Sequence, residues 1–129
     1  MSKKGAIEER HIVHIFEQNG YSAIRIPASG GGTKLDRPDV LAGNGYNTYA
    51  IEVKSSRKNN IYIRKEQINE LKRFSKRFGA KPVICVKFTY KPYIILTIEQ
   101  LFRTRTGNYK ITRELIQNGK EINQTTNEK

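Results

Sequence analysis

Tryptophan is absent from these 129 residues, and cysteine and methionine occur once each. A lone cysteine, Cys85, cannot close an internal disulfide, so packing alone must hold the fold. A reducing, cytoplasmic setting is the expectation. Within its apolar run, Cys85 reads as a small buried strand residue. Long apolar runs are also missing: none approaches the ~20 residues of a membrane span. No long helix is basic on one face and richly apolar on the other, so a membrane partner is not expected. The opening Met-Ser-Lys-Lys-Gly lacks the apolar stretch of a secretory signal. Acids are scarce, with 12 Asp and Glu against 24 Lys and Arg, a formal charge of +12. That balance suits no acidic small-molecule substrate. It suits a polyanion, because Lys and Arg neutralise phosphates and release condensed counterions.

The chain has room for one domain, and no repeat or Pro/Gly/Ser-rich linker divides it. Residues 5–19 read as a helix closed by Asn19-Gly20, and residues 21–27 alternate as a strand. A glycine loop with a basic end, Ala28 to Lys34, follows. Two strands, 39–42 and 48–54, meet across the hairpin signal Gly43-Asn44-Gly45. Residues 64–78 form a second helix ending at Gly79. Strands at 83–88 and 93–98 flank a turn at Lys91-Pro92. Beyond Glu99 the pattern weakens to one short helix and a turn around residues 106–109. Residues 1–119 then make one domain, and residues 120–129 a solvated tail. The fold class is α/β: a central mixed sheet of about five strands flanked by helices.

The few acids fall at particular places. Glu9, Ile12, Val13 and Phe16 follow i, i+3, i+4, i+7 spacing, so Glu9 continues the stripe that faces the protein. An inward carboxylate must be paired, protonated or metal-bound. Alternatively, Glu9 meets the helix dipole in the first turn. On the hairpin, a loop of two or four residues sets Asp39 beside Glu52, which shares its face with Lys54; three or five residues separate them. Ile51 and Val53 then point to the core. Carboxylates brought together repel unless a cation resolves the conflict, and a hard divalent ion such as Mg²⁺ takes such oxygens. Lys54 can orient an attacking water or offset charge on a phosphorane-like transition state. The plainer alternative is an exposed Glu52–Lys54 ion pair.

Pro38-Asp39 followed by Glu52-Val53-Lys54 resembles the signature of the restriction-endonuclease-like nucleases. Lys4-Gly5-Ala6 with Glu8-Glu9-Arg10, then Arg25-Ile26-Pro27-Ala28-Ser29-Gly30, Glu52-Val53-Lys54-Ser55, and Ile61-Tyr62-Ile63-Arg64-Lys65-Glu66-Gln67 resemble the archaeal Holliday junction resolvases. The likeness runs in one register from about residue 3 to about residue 88, and more loosely through Arg103 to Tyr109. It implies a restriction-endonuclease-like sheet and a homodimer that nicks opposing strands of a four-way DNA junction, using Mg²⁺ (Mn²⁺ is an alternative). By the same resemblance Glu9, Asp39 and Glu52 are metal-binding acids, Lys54 is the catalytic lysine, and Ser29 matches a catalytic serine. Arg10 and Arg25 match arginines that grip the junction. The chain departs from the family in its extra glycine at Gly30-Gly31-Gly32 and in a short, polar C-terminus.

Other residues carry weaker signals. Arg10 could reach phosphate or a neighbouring acid. Arg25 lies in a strand whose Ile24 and Ile26 should face the core, which leaves it on the face of Ala23 and Pro27. Ser29 is equally a turn residue. Lys34, Arg57, Arg64 and Lys65 are further candidate DNA contacts, while the cations beyond Leu71 suit a solvated helix face. Gln67 heads a stripe with Leu71, Phe74 and Phe78. His11 and His14 lack a third ligand and read as exposed helix histidines. Two readings compete with the resolvase: another nuclease of the same fold, and a basic nucleic-acid-binding module without catalysis.

Overall fold

A computed structural model of the chain describes residues 5–27 and 35–122. Helix α1 (Ala6–Gln18) leads into β1 (Ser22–Arg25), β2 (Val40–Gly43), β3 (Thr48–Ser56) and β4 (Asn60–Ile63). Helix α2 (Lys65–Phe78) then precedes β5 (Lys81–Phe88), β6 (Ile94–Thr97), β7 (Phe102–Arg103), β8 (Tyr109–Thr112) and β9 (Lys120–Glu121). Six strands form a mixed sheet in the order β1-β2-β3-β5-β6-β9, in which only β3 and β5 run parallel. The crossover between these two carries β4 and α2, as a parallel connection requires. The remaining strands pair separately as an antiparallel sheet, β4-β8-β7. The central mixed sheet of about five strands expected from the sequence is present with six, and the small second sheet is an addition to it. β4 and β8 pair with each other across some fifty residues of chain and β7 has only two residues, so no hairpin signal marks this second sheet.

At its centre, along β5 and β6, the six-stranded sheet is buried on both faces. α1 covers one face, with Ile12 and Phe16 packed on Val40, Ile51, Val53, Val83 and Cys85. α2 and the small sheet cover the other, where Ile68 and Leu71 meet Ala50, Ile84, Val86 and the Ile61/Ile63 pair. Burial on both faces explains why β5 reads as an unbroken apolar run. Cys85 is fully buried within it, and desolvation raises its thiol pKa.

Three local readings change. Ile24 is 59% exposed while Ala23 is buried, so β1 turns the face opposite to the expected one toward α1. The Ala23 N–H donates to Glu17 at 2.9 Å, which fixes that orientation. Phe78 is exposed and stacks on Phe74 (5.1 Å between centroids) instead of entering the core. The tail expected from residue 120 is ordered at its start: Lys120 and Glu121 pair with Ile95 and Ile94, and Ile122 is 3% exposed. Among the described residues, no helix is long and apolar enough to cross a membrane.

Candidate active site

The β2–β3 loop has four residues, Asn44 to Asn47, because Gly43 pairs with Thr48. The Asn44 side chain closes it by accepting the N–H groups of Tyr46 (2.9 Å) and Asn47 (2.7 Å). Gly45, at φ +92°, supplies the left-handed residue the turn needs. This is one of the two loop lengths that bring Asp39 to Glu52. The β2–β3 ladder ends at Val40↔Ile51, and one residue earlier Asp39 leaves it. Its N–H donates to the Ile51 carbonyl at 3.0 Å, and its Oδ2 accepts the Val53 N–H at 2.8 Å. A carboxylate thus takes the place of a missing ladder partner. Pro38, buried just before it, has no N–H to leave unpaired.

Along β3, burial changes at Glu52. Tyr49, Ala50 and Ile51 are buried, whereas Glu52 and Lys54 are half-buried and line a cleft. Ile51 and Val53 pack against α1, as the alternation predicts. The cleft encloses about 430 Å³ and gathers Glu9, Asp39, Glu52 and Lys54 on one wall, with Ser55, Ser56, Asn60 and Tyr62 extending it. α1 delivers Glu9 from its first turn, so both readings of that residue apply together: it favours the helix dipole and it faces the cleft. The helix starts at Gly5, at φ +90°, where a Cβ would lie 3.5 Å from Glu9 Oε2.

The electrostatics follow from crowding acids in a half-buried space. Burial, then the nearby Asp39 charge, pushes the Glu52 carboxyl up from 4.5 to about 8, against the pull of Lys54. Burial also raises Asp39, although the Val53 N–H and Lys54 oppose it. Each carboxyl acts on the other: the contact opposes the rise of Asp39 and adds to that of Glu52, so Glu52 is the harder of the two to ionise. Glu9 is raised by burial, with Arg25 opposing. Arg25 Nε donates to Glu9 Oε1 at 3.0 Å, and Lys54 Nζ lies 3.8 Å from Glu52 Oε2.

On donor chemistry the cleft fits a hard divalent cation: three carboxylates line it, and among the described residues no sulfur or imidazole does. Among the described residues, no three His, Cys, Asp or Glu side chains stand as a preformed ligand cluster. Arg25 holds Glu9 and Lys54 attracts Glu52.

The expected DNA contacts fare differently. Arg25 is engaged with Glu9 at the cleft margin, while Arg10, Arg57, Arg64 and Lys65 are exposed outside the cleft lining. Ser29 and Lys34 lie outside the described residues. Gln67 is half-buried on α2. His11 is exposed, but its Nδ1 lies 2.8 Å from the Tyr93 hydroxyl, a partner the helix pattern could not supply. Asn60 and Tyr62 escaped the sequence reading as site residues. The signal available was the alternation in Asn60-Ile61-Tyr62-Ile63, which marks a strand with one wet face.

Comparison with known proteins bears on the same cleft. The family described as archaeal Holliday junction resolvase (Hjc) matches residues 1–129. A crossover junction endodeoxyribonuclease Hjc of Sulfolobus acidocaldarius is 36% identical over 122 residues, covering 94% of this chain and 85% of the relative. A crossover junction endodeoxyribonuclease of Sulfolobus islandicus rod-shaped virus 1 is 36% identical over 107 residues, covering 80% and 88%. The structure of Archaeoglobus fulgidus Hjc, a Holliday junction resolvase, superposes with a TM-score of 0.86 at 30% identity, covering 95% of this chain and 99% of that one. A match along the whole sequence, with the fold to go with it, makes this chain a member of the archaeal Holliday junction resolvase family.

Proposed function

We infer that the chain is a metal-dependent endodeoxyribonuclease that resolves four-way DNA junctions, with Glu9, Asp39, Glu52 and Lys54 as its catalytic group. The observation that carries this reading is the meeting of three scarce acids and one lysine in a single cleft of a protein that is otherwise strongly basic. Glu9, Asp39 and Glu52 would hold the cation, Mg²⁺ or Mn²⁺. Such an ion lowers the pKa of a bound water and neutralises phosphate charge. Asp39 is anchored by Val53, which fixes the carboxylate that faces the incoming phosphate. Lys54 presents its ammonium beside Glu52, where it can donate to the attacking water or to a phosphate oxygen. Arg25 keeps Glu9 aimed at the cleft and brings a cation to its rim. Arg10, Arg57, Arg64 and Lys65 supply exposed positive charge for the DNA arms, and Ser29 and Lys34 complete the assignment from the family resemblance.

We place the homodimer contact on the groove formed by Leu35, Asp36, Arg37, Phe74, Arg77 and Phe78. Leu35 and Phe78 are 56% and 55% exposed there, an apolar centre with a charged rim of the kind that protein interfaces use. Two active sites related by this contact would nick opposing strands. A cleavage assay on a synthetic four-way junction, a fork and a linear duplex, with and without Mg²⁺, tests the whole reading. The expected result is Mg²⁺-dependent paired nicks in the junction and far slower cutting of the other two. Equal rates on all three would end the junction assignment.

A further inference from the structure

The small β4-β8-β7 sheet turns one face to the protein and one to solvent, and the solvent face borders the cleft. Ile61, Ile63, Tyr109 and Ile111 fill the inner face and are buried. On the outer face the registers Tyr62↔Lys110 and Phe102↔Lys110 place Tyr62, Lys110 and Phe102 in one row across all three strands. Tyr62 is 62% exposed and Phe102 59% exposed. Lys110 lies between them, its Nζ 5.8 Å from the Tyr62 ring centroid. Neighbouring strands are ~4.8 Å apart, so the two rings flank the lysine at a separation of about 10 Å. The three strands contain no Asp or Glu. Tyr62 also belongs to the cleft wall that carries Glu9, Asp39, Glu52 and Lys54.

A single exposed aromatic side chain is ordinary. Two in register, flanking a cation on a face without carboxylates, repeat the alternation of base and phosphate in a nucleic-acid strand. Intact duplex covers its base faces by internal stacking and can offer this row only phosphates. A branch point interrupts that stacking and exposes base faces. Aromatic rings take such faces without regard to sequence.

We propose that the Tyr62–Lys110–Phe102 row is a stacking platform for unstacked or unpaired nucleobases at the branch point of the DNA, with Lys110 on the intervening phosphate. The proposal rests on the branched-DNA reading above and deepens it: the row supplies selection for the branch, while the acids supply the cut. A phosphate would draw Lys110 away from the Tyr62 ring and free that ring for a base. Arg103, next to Phe102 on the edge strand, lies 4.4 Å over the Tyr109 ring.

The test uses the full-length protein, without divalent metal so that no strand is cut. Binding to a four-way junction and to a linear duplex of the same arm sequence is measured by fluorescence anisotropy. Phe102 is exposed, so Phe102→Leu keeps bulk and hydrophobicity and removes only the ring. Phe102→Leu is expected to weaken junction binding about tenfold and duplex binding less than about twofold, and Phe102→Trp to restore the junction, in line with the stacking contributions of single aromatic side chains. A 2-aminopurine at the branch point should be quenched by wild type and less so by the Leu variant. A Leu variant that keeps the wild-type junction preference, or loses junction and duplex binding in the same ratio, overturns the platform while the nuclease reading stands. A wild type that binds junction and duplex alike overturns both.

Discussion

The Asp39 carboxylate accepts the Val53 N–H with Oδ2 and lies beside Glu52, whose carboxyl its charge pushes up, so the acids are fixed and conflicted at once. Asp39→Ala or Glu52→Ala should therefore reduce Mg²⁺-dependent junction cutting by at least about 10²-fold, the scale on which a positioned electrostatic group acts. Junction affinity should stay nearly unchanged, since exposed cations carry it. Single-turnover cleavage beside gel-shift binding measures the two separately; loss of binding in step with cutting would refute the assignment. The raised Glu52 carboxyl also predicts a stability signature. Folding raises its pKa from 4.5 to about 8, so its protonated form is the one the fold favours. Its stabilising share is fully present below about pH 4.5 and is lost as pH rises toward about 8, because the unfolded chain ionises first. Without metal, wild-type stability should fall across that window relative to Glu52→Gln, by a few kcal/mol at most. Mg²⁺ should recover more at pH 8 than at pH 5. Parallel pH profiles for the two proteins in denaturant melts would refute the placement of that proton.

At the scale of elements, the helices and the apolar strands were legible. The spacing of Ile12 and Phe16 fixed α1, and the Asn44-Gly45 signal fixed the hairpin whose four-residue loop aligns the acids. Alternation along β3 gave both the inward Ile51 and Val53 and the outward Glu52 and Lys54. The pieces held by distant partners were not legible. β1 has mixed burial, and its facing is decided by a hydrogen bond to Glu17. α2 has no side-chain cap of its own at Arg64; the Lys65 N–H is met at 3.0 Å by the Asn108 side chain, 43 residues away. β9 spans two polar residues and is held by its surroundings. There Gly119 approaches β6 so closely that a Cβ would lie 2.4 Å from Ile94 Cγ2 and 2.8 Å from the Ile95 carbonyl oxygen. Gly119→Ala should thus lift β9 and Ile122 from the sheet edge and cost about 1–3 kcal/mol, the range for overpacking. Hydrogen exchange should accelerate at residues 120–122 and leave α2 protected. An Ala variant as stable as wild type would mean that the edge yields freely.

For the whole molecule, charge and symmetry act together. A chain of +12 binds phosphate almost wherever its cations are exposed, so affinity alone cannot choose a branch. Beyond the stacking row, the proposed two-fold dimer would hold two clefts at a fixed separation and so add to the selection of a branch. The polar C-terminal residues give the sequence no apolar patch for such a contact, and Phe78 reads there only as the end of the Gln67 stripe. In the fold, Phe78 stacks on Phe74 at the surface beside Leu35, and the Arg73–Asp36 ion pair borders the groove. Phe78→Arg removes an exposed ring and adds a charge that would face its own copy across the symmetry axis, so it should block association with little effect on folding. Sedimentation should give the mass of one chain where wild type gives two. Junction products should shift from paired to single nicks, because one cleft can reach only one strand. Each chain keeps its cations, so duplex binding and its steep salt dependence should persist. A Phe78→Arg protein that sediments as wild type would place the contact elsewhere, whereas one that is monomeric yet still makes paired nicks would show that the dimer is not what couples the two cuts.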